Sequence, residues 1–218
     1  MGLSLLVFAF AGLTLALRSP LLPVRTIDII TPLRQAPREA VERAAREGIG
    51  GNFFAARLDG VRRALEQVPW VRSVEVRRVW PDRLEVAIEE HVAIARWGTS
   101  GLVDTYGERF AGNGGEALPL FIGPEGSEAE VAVRYRRFSR ILGPLDVALD
   151  RVVLTPRYAW QLRLANGLNI MLGRDADLAE QRLQRFVDVY QDTVARFGGS
   201  HEYVDLRYAN GFALRVRG

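Results

Sequence analysis

The chain opens on an apolar run from Met1 to Leu17 that no charge interrupts before Arg18. A helix of about 17 such residues sits at the lower limit for crossing a bilayer, and it has no polar face to turn towards water. A cleaved signal peptide would show a basic start and a small-residue exit site, and neither is present. The pattern therefore predicts an uncleaved transmembrane anchor over residues 1–19. The nearest basic residues, Arg18 and Arg25, follow the run, so charge alone does not place the rest of the chain outside the cytoplasm.

After Pro20 and Pro23 the periodicity changes. Val24–Ile30 is rich in β-branched residues and reads as a strand. The stretch after Pro37 reads as a helix that stops at Gly48, and Leu58, Val61, Leu65 and Val68 recur at helical spacing up to Pro69. Val71–Val79 and Leu84–Glu90 are strands, the second alternating Leu84, Val86 and Ile88 with Glu85, Ala87 and Glu89, and Trp80-Pro81-Asp82 is the turn between them. Strand, helix, helix, strand, strand over residues 24–91 predicts a small α+β domain with two helices on a three-stranded sheet.

Residues 92–218 predict a second, β-rich domain with an antiparallel-rich sheet and helices. Short strands are expected at Val92–Trp97 and Gly101–Tyr106, followed by a glycine-rich loop at Ala111–Gly115. Val131, Tyr135, Phe138 and Leu142 mark one face of a helix over Ser127–Leu142, which Gly143-Pro144 stops. Asn166-Gly167 between two alternating runs is a strong hairpin signal. A long helix is expected over Asp177–Phe197, with Leu183, Phe186, Val187, Tyr190, Val194 and Phe197 as its apolar stripe, then a strand at Tyr203–Tyr208, an Asn210-Gly211 turn and a last strand at Phe212–Val216.

Composition narrows the function. Hydrophobic residues at 48% and charged residues at 25% describe a packed protein rather than a disordered tail. The net charge of +3 comes from arginine alone, with no lysine, and forms no cationic block, so no nucleic-acid partner is implied. The absence of cysteine removes disulfides, thiolate metal sites and a cysteine nucleophile.

The two histidines, His91 and His201, lie far apart at strand ends. Glu89, Glu90 and His91 are adjacent on a strand, point to opposite faces, and read as a solvated strand end. Gly112, Gly114 and Gly115 lack the lysine and hydroxyl of a phosphate loop. Gly123-Pro124-Glu125-Gly126-Ser127 reads as a turn that caps the next helix through Ser127. Arg72, Arg77, Arg78 and Arg83 around Trp80 are interleaved with Glu75, Asp82 and Glu85, as on a solvated, mixed-charge sheet face. No catalytic, metal or cofactor constellation emerges, so the expectation is a non-enzymatic protein with no cofactor and no small-molecule substrate.

Residues 24–91 resemble a POTRA domain. Gly51-Asn52-Phe53-Phe54, Leu65 to Val71 and Val76 to Asp82 look like its FtsQ form. Ile94-Ala95-Arg96-Trp97, Val103-Asp104, Gly123 to Ser127, Trp160-Gln161-Leu162, Leu172-Gly173-Arg174 and Tyr203 to Tyr208 follow in the order of the FtsQ/DivIB family of bacterial cell-division proteins. The resemblance spans nearly everything after the apolar run.

It implies a single-pass inner-membrane protein with its bulk in the periplasm at the division septum, which bridges early and late division proteins and binds FtsB and FtsL among other divisome components. It also implies a cytoplasmic leader, so Met1 is not expected to be the native start. Tyr208 is the family's partner-contact tyrosine by resemblance, with Arg207, Asn210, Gly211 and Phe212 beside it and Arg157 as a second contact. From its own pattern alone, Tyr208 reads as a core residue that shares a face with Val204 and Leu206, and it is the resemblance that makes it a contact. Where relatives of this type carry Asp-Ser-Gly, the chain has Ala209-Asn210-Gly211. The alternative class is another POTRA-bearing component of envelope assembly or secretion. A terminal strand with an open edge would let an extended partner segment add to the sheet.

Overall fold

The computed structural model describes residues 24–49, 57–190, 201–208 and 211–216. The expected anchor at 1–19 lies outside them, and no helix among the described residues is long and apolar enough to cross a membrane. The chain forms two compact units that divide between His91 and Val92.

In the first unit β1 (Thr26–Ile29) is followed by α1 (Arg38–Gly48), α2 (Leu58–Leu65), β2 (Val71–Val79) and β3 (Arg83–Glu90). The sheet order is β1-β3-β2, with β1 parallel and β2 antiparallel to β3. The alternation in β3 buries Leu84, Val86 and Ile88 against Val41, Ala45, Val61 and Leu65 from the helices. Gly48 does end α1, but its stronger role is in packing. A Cβ there would stand 2.6 Å from the Cα of Val61, so glycine is what lets α1 and α2 approach so closely.

The solvated reading of Glu90 is overturned. Its Oε1 accepts hydrogen bonds from the backbone N–H groups of Arg34, Gln35 and Ala36 at 3.1, 3.1 and 2.7 Å, which fastens the loop that enters α1. Those donors lie more than fifty positions away in the chain, beyond the reach of local pattern. The arginines of β2 and β3 behave as expected on a mixed-charge face, with Arg72 paired to Glu89 and Arg77 to Glu85.

The second unit contains β4 (Ala93–Trp97), β5 (Leu102–Asp104), β6 (Arg109–Phe110), β7 (Leu120–Ile122), α3 (Glu128–Leu142), β8 (Leu149–Leu154), β9 (Trp160–Leu164), β10 (Asn169–Gly173), α4 (Ala176–Tyr190), β11 (His201–Asp205) and β12 (Ala213–Val216). One sheet runs β12-β11-β10-β9-β8-β7-β4-β5-β6. It is mixed: β7 pairs in parallel with both β4 and β8, and β10 with β11, while the remaining neighbours are antiparallel. The hairpin at Asn166-Gly167 joins β9 to β10 as expected.

The helices pack on this sheet through the stripes read from the sequence, Val131, Phe138 and Leu142 on α3 and Leu183, Phe186 and Val187 on α4. Phe138 meets Trp160 of β9 edge-on, with ring centroids 5.7 Å apart. Arg134 of α3 ties the two helices together through Asp177 and Glu180 of α4. Burial pulls the Arg134 guanidinium towards losing its proton, and the two carboxylates outweigh that and raise its pKa.

Ser127 stands at the N-terminus of α3 without capping it, because its hydroxyl donates back to the Pro124 carbonyl at 2.6 Å. The cap that forms is Asp175, whose carboxylate accepts from the N–H groups of Asp177 and Leu178 at the start of α4. The stretch of the expected long helix beyond Tyr190 lies outside the described residues until His201.

Candidate partner-binding edge

β12 is the outermost strand at one end of the second sheet. Tyr203, Val204 and Asp205 of β11 stand opposite Arg215, Leu214 and Ala213, and no strand among the described residues lies on the other side of β12. Leu214 packs on the core while Ala213 and Arg215 are exposed, as alternation along a half-buried strand requires. A four-residue strand with no neighbour on its outer side among the described residues is a template to which another extended segment can hydrogen-bond.

The chain between β11 and β12 departs from the sequence expectation. The strand read over Tyr203–Tyr208 ends at Asp205, because the Asp205 carboxylate accepts from the backbone N–H of Arg207 two residues on and so bends the chain out of the ladder. Val204 and Leu206 are buried, whereas Tyr208 is 57% exposed, so it does not share their core position. Phe212 turns inward, and its ring meets Phe186 of α4 edge-on at 5.6 Å, which pins the start of β12 to the helix. Gly211 is exposed, and Asn210 lies outside the described residues.

Two hollows flank this loop. The larger, about 660 Å³, is lined by Arg157, Arg174, Arg182 and Arg207 together with Thr155 and Gln161. The smaller, about 230 Å³, is lined by Tyr208, Gly211, Phe212, Leu206, Phe186 and Arg182. Arg182 borders both, so the fold brings Arg157 and Arg207 together in one cleft and sets Tyr208 beside its neighbour.

Arg182 Nη1 donates to the Leu172 carbonyl at 2.9 Å. Gly173 makes this close approach possible: its φ is +91°, and a Cβ there would lie 3.1 Å from Arg182 Nη1. Arg157 and Arg174 have no carboxylate partner among the described residues. The larger cleft is thus cationic and polar and suits acidic side chains, while the smaller one offers an apolar wall.

Electrostatics holds the loop in place. Hydrogen bonds from the Arg207 guanidinium keep the Asp205 carboxyl below the usual carboxylate range against the opposing effect of burial, and Asp205 in turn raises the pKa of Arg207. Burial, then the Asp205 charge, pushes the Tyr203 hydroxyl up.

Sequence reasoning missed Arg174 and Arg182. Arg174 lay within a quoted motif, but its meeting with Arg207 requires β10 to pair with β11, which nothing local announces.

The three-stranded sheet under two helices is the part of the chain that matches a POTRA model, residues 22–91 fitting the family described as POTRA domain, FtsQ-type. Residues 95–207 match Cell division protein FtsQ/DivIB, C-terminal. The chain is similar to Cell division protein FtsQ of Burkholderia pseudomallei, 42% identical over 222 residues that cover 100% of this chain and 89% of that protein. It is 40% identical to the protein of that name from Nitrosospira multiformis, over 95% of this chain and 92% of that one. Against the Escherichia coli protein the figures are 36% identity, 77% and 63%. The chain belongs to the FtsQ/DivIB family of cell-division proteins.

Proposed function

We propose that the chain is a non-enzymatic divisome scaffold, held in the bacterial inner membrane by a single span at residues 1–19 with the rest periplasmic at the division septum. It links early and late division proteins by binding partners such as FtsB and FtsL. The POTRA domain occupies residues 24–91 and the FtsQ-type β domain residues 92–218. An extended FtsB segment adds as a strand to β12, its main chain supplying affinity and its side chains the choice of site. Tyr208, Gly211 and Phe212 border the apolar hollow beside that strand, and Arg157 and Arg207 receive acidic side chains of the partner.

The observation that carries this reading is the position of β12 at the end of its sheet, with no neighbour among the described residues on its outer side. Tyr208→Ala tests it. Loss of an exposed aromatic anchor costs binding of the FtsB segment about 1 to 2 kcal/mol or more, with the domain still folded, in a titration of wild type against variant. Unchanged affinity removes Tyr208 from the interface. Pull-down from membranes with the same two proteins reports whether FtsL is recovered together with FtsB.

A further inference from the structure

We propose that the β2–β3 hairpin tip, centred on Trp80, rests in the headgroup layer of the membrane that anchors the chain. The inference depends on the anchor at residues 1–19. Trp80 is 78% exposed, the most exposed of the large hydrophobic side chains described. An indole standing in water on a tight turn makes few contacts there, whereas at a membrane interface its apolar body and N–H both find partners.

Chain geometry brings the tip to the lipid. β1 runs parallel to β3 with Thr26 opposite Arg83, and the N–H of Arg25 donates to the Asp82 carbonyl at 2.9 Å, so the chain enters the first unit beside the hairpin turn. Five peptide steps separate residue 19 from residue 24, which at full extension span at most about 18 Å. The anchor therefore holds this end of the unit close to the bilayer surface.

Arg25, Arg77, Arg78 and Arg83 surround the turn, and their long stems suit headgroup depth. Asp82, Glu85 and Asp28 pair with three of them, so the tip is close to charge balance. Partition of the indole is the main term, and added salt changes it little.

The test uses the full chain in discs of phosphatidylethanolamine and phosphatidylglycerol that carry a nitroxide either near the headgroup or deep in the acyl chain. Subtracting the emission of Trp80→Phe isolates Trp80 from Trp70, Trp97 and Trp160. The expected result is quenching of the Trp80 component by the shallow probe at least about twofold stronger than by the deep one, as an indole at interfacial depth requires. If the chain floats with the discs while Trp80 responds only to aqueous acrylamide, the anchor stands and the tip inference is overturned. If Trp80 is shielded only after envelope proteins are added, the tip serves a protein and the inference is likewise overturned. A chain that fails to float refutes both the anchor and the tip contact.

Discussion

Arg207 folds back on Asp205 two residues earlier, its Nε lying 2.9 Å from Oδ1 and its Nη2 2.6 Å from Oδ2, while its own N–H bonds the same carboxylate at 3.0 Å. The Asp205 side chain is buried and the Arg207 side chain largely exposed, so a carboxylate anchored in the unit fixes a cation at the rim of the cleft. Because the folded-state pKa of Asp205 is depressed, its contribution to stability is complete above the unfolded value of about 3.9 and is lost as pH falls through the folded value. Tyr203 has the opposite sign: its raised pKa gives a contribution present below about pH 10 and lost as pH rises beyond it. Asp205→Asn lowers stability at neutral pH by about 1 to 3 kcal/mol, the worth of hydrogen bonds to a charged group. Urea melts of both proteins at neutral and strongly acidic pH check this, and the gap must close in acid. A gap independent of pH would show that the carboxylate charge is not the cause.

Gly173 offers a test of how the cleft is built. Alanine there must hold a φ of +91° that disfavours a side chain, and its methyl group meets Arg182 and Arg207. Gly173→Ala is expected to cost about 1 kcal/mol or somewhat more in stability and, under the proposed function, to weaken binding of the partner segment as the two arginines are displaced. Thermal melting and titration of the same preparation separate these effects. Wild-type values in both would mean that the cleft does not depend on this glycine.

Gly48→Ala sets two effects against each other. In an exposed helix, alanine would be favoured by about 1 kcal/mol. Here its methyl group is driven against the Val61 backbone, which cannot rotate aside as a side chain could. The expected outcome is net destabilisation by about 1 to 3 kcal/mol, the usual cost of overpacking, confined to the first unit. Hydrogen exchange should accelerate in α1 and α2 and stay unchanged in β9 and β10. A stabilised variant would mean that the helices can separate without penalty.

Local pattern made the first unit legible because its elements carry clear signals: a helix stop at Gly48, a helical stripe from Leu58 to Val68, an alternating β3 and a turn at Trp80-Pro81-Asp82. In the second unit the Asn166-Gly167 hairpin and the α3 and α4 stripes were equally plain. β7 escaped notice because Leu120-Phe121-Ile122 is too short to alternate, and its place between β4 and β8 is set by parallel pairing with strands distant in the chain. Arg157 and Arg207 were named through family resemblance, and no spacing in the sequence reveals that they line one cleft with Arg174 and Arg182. The end of β11 was misplaced for a local reason that was readable. Aspartate followed two residues later by a free backbone N–H is a turn former, and Asp205 sits at the end of a hydrophobic alternation that conceals it.

Glu90 is the sharpest case of a polar residue whose role lies wholly in tertiary structure. Three backbone N–H groups converge on one carboxylate, and these groups would otherwise face solvent in the loop ahead of α1. Glu90→Gln keeps the size and one acceptor oxygen but replaces the other with an NH₂ that points donors at donors. The cost expected is about 1 to 3 kcal/mol, as for hydrogen bonds to a charged acceptor. Amide exchange at Arg34, Gln35 and Ala36 is the direct readout, and protection there should fall in the variant while the amides of β2 keep theirs. Should all three amides exchange at the wild-type rate, the loop is held by packing of Leu33 and Ala36 on the core, and the carboxylate is incidental.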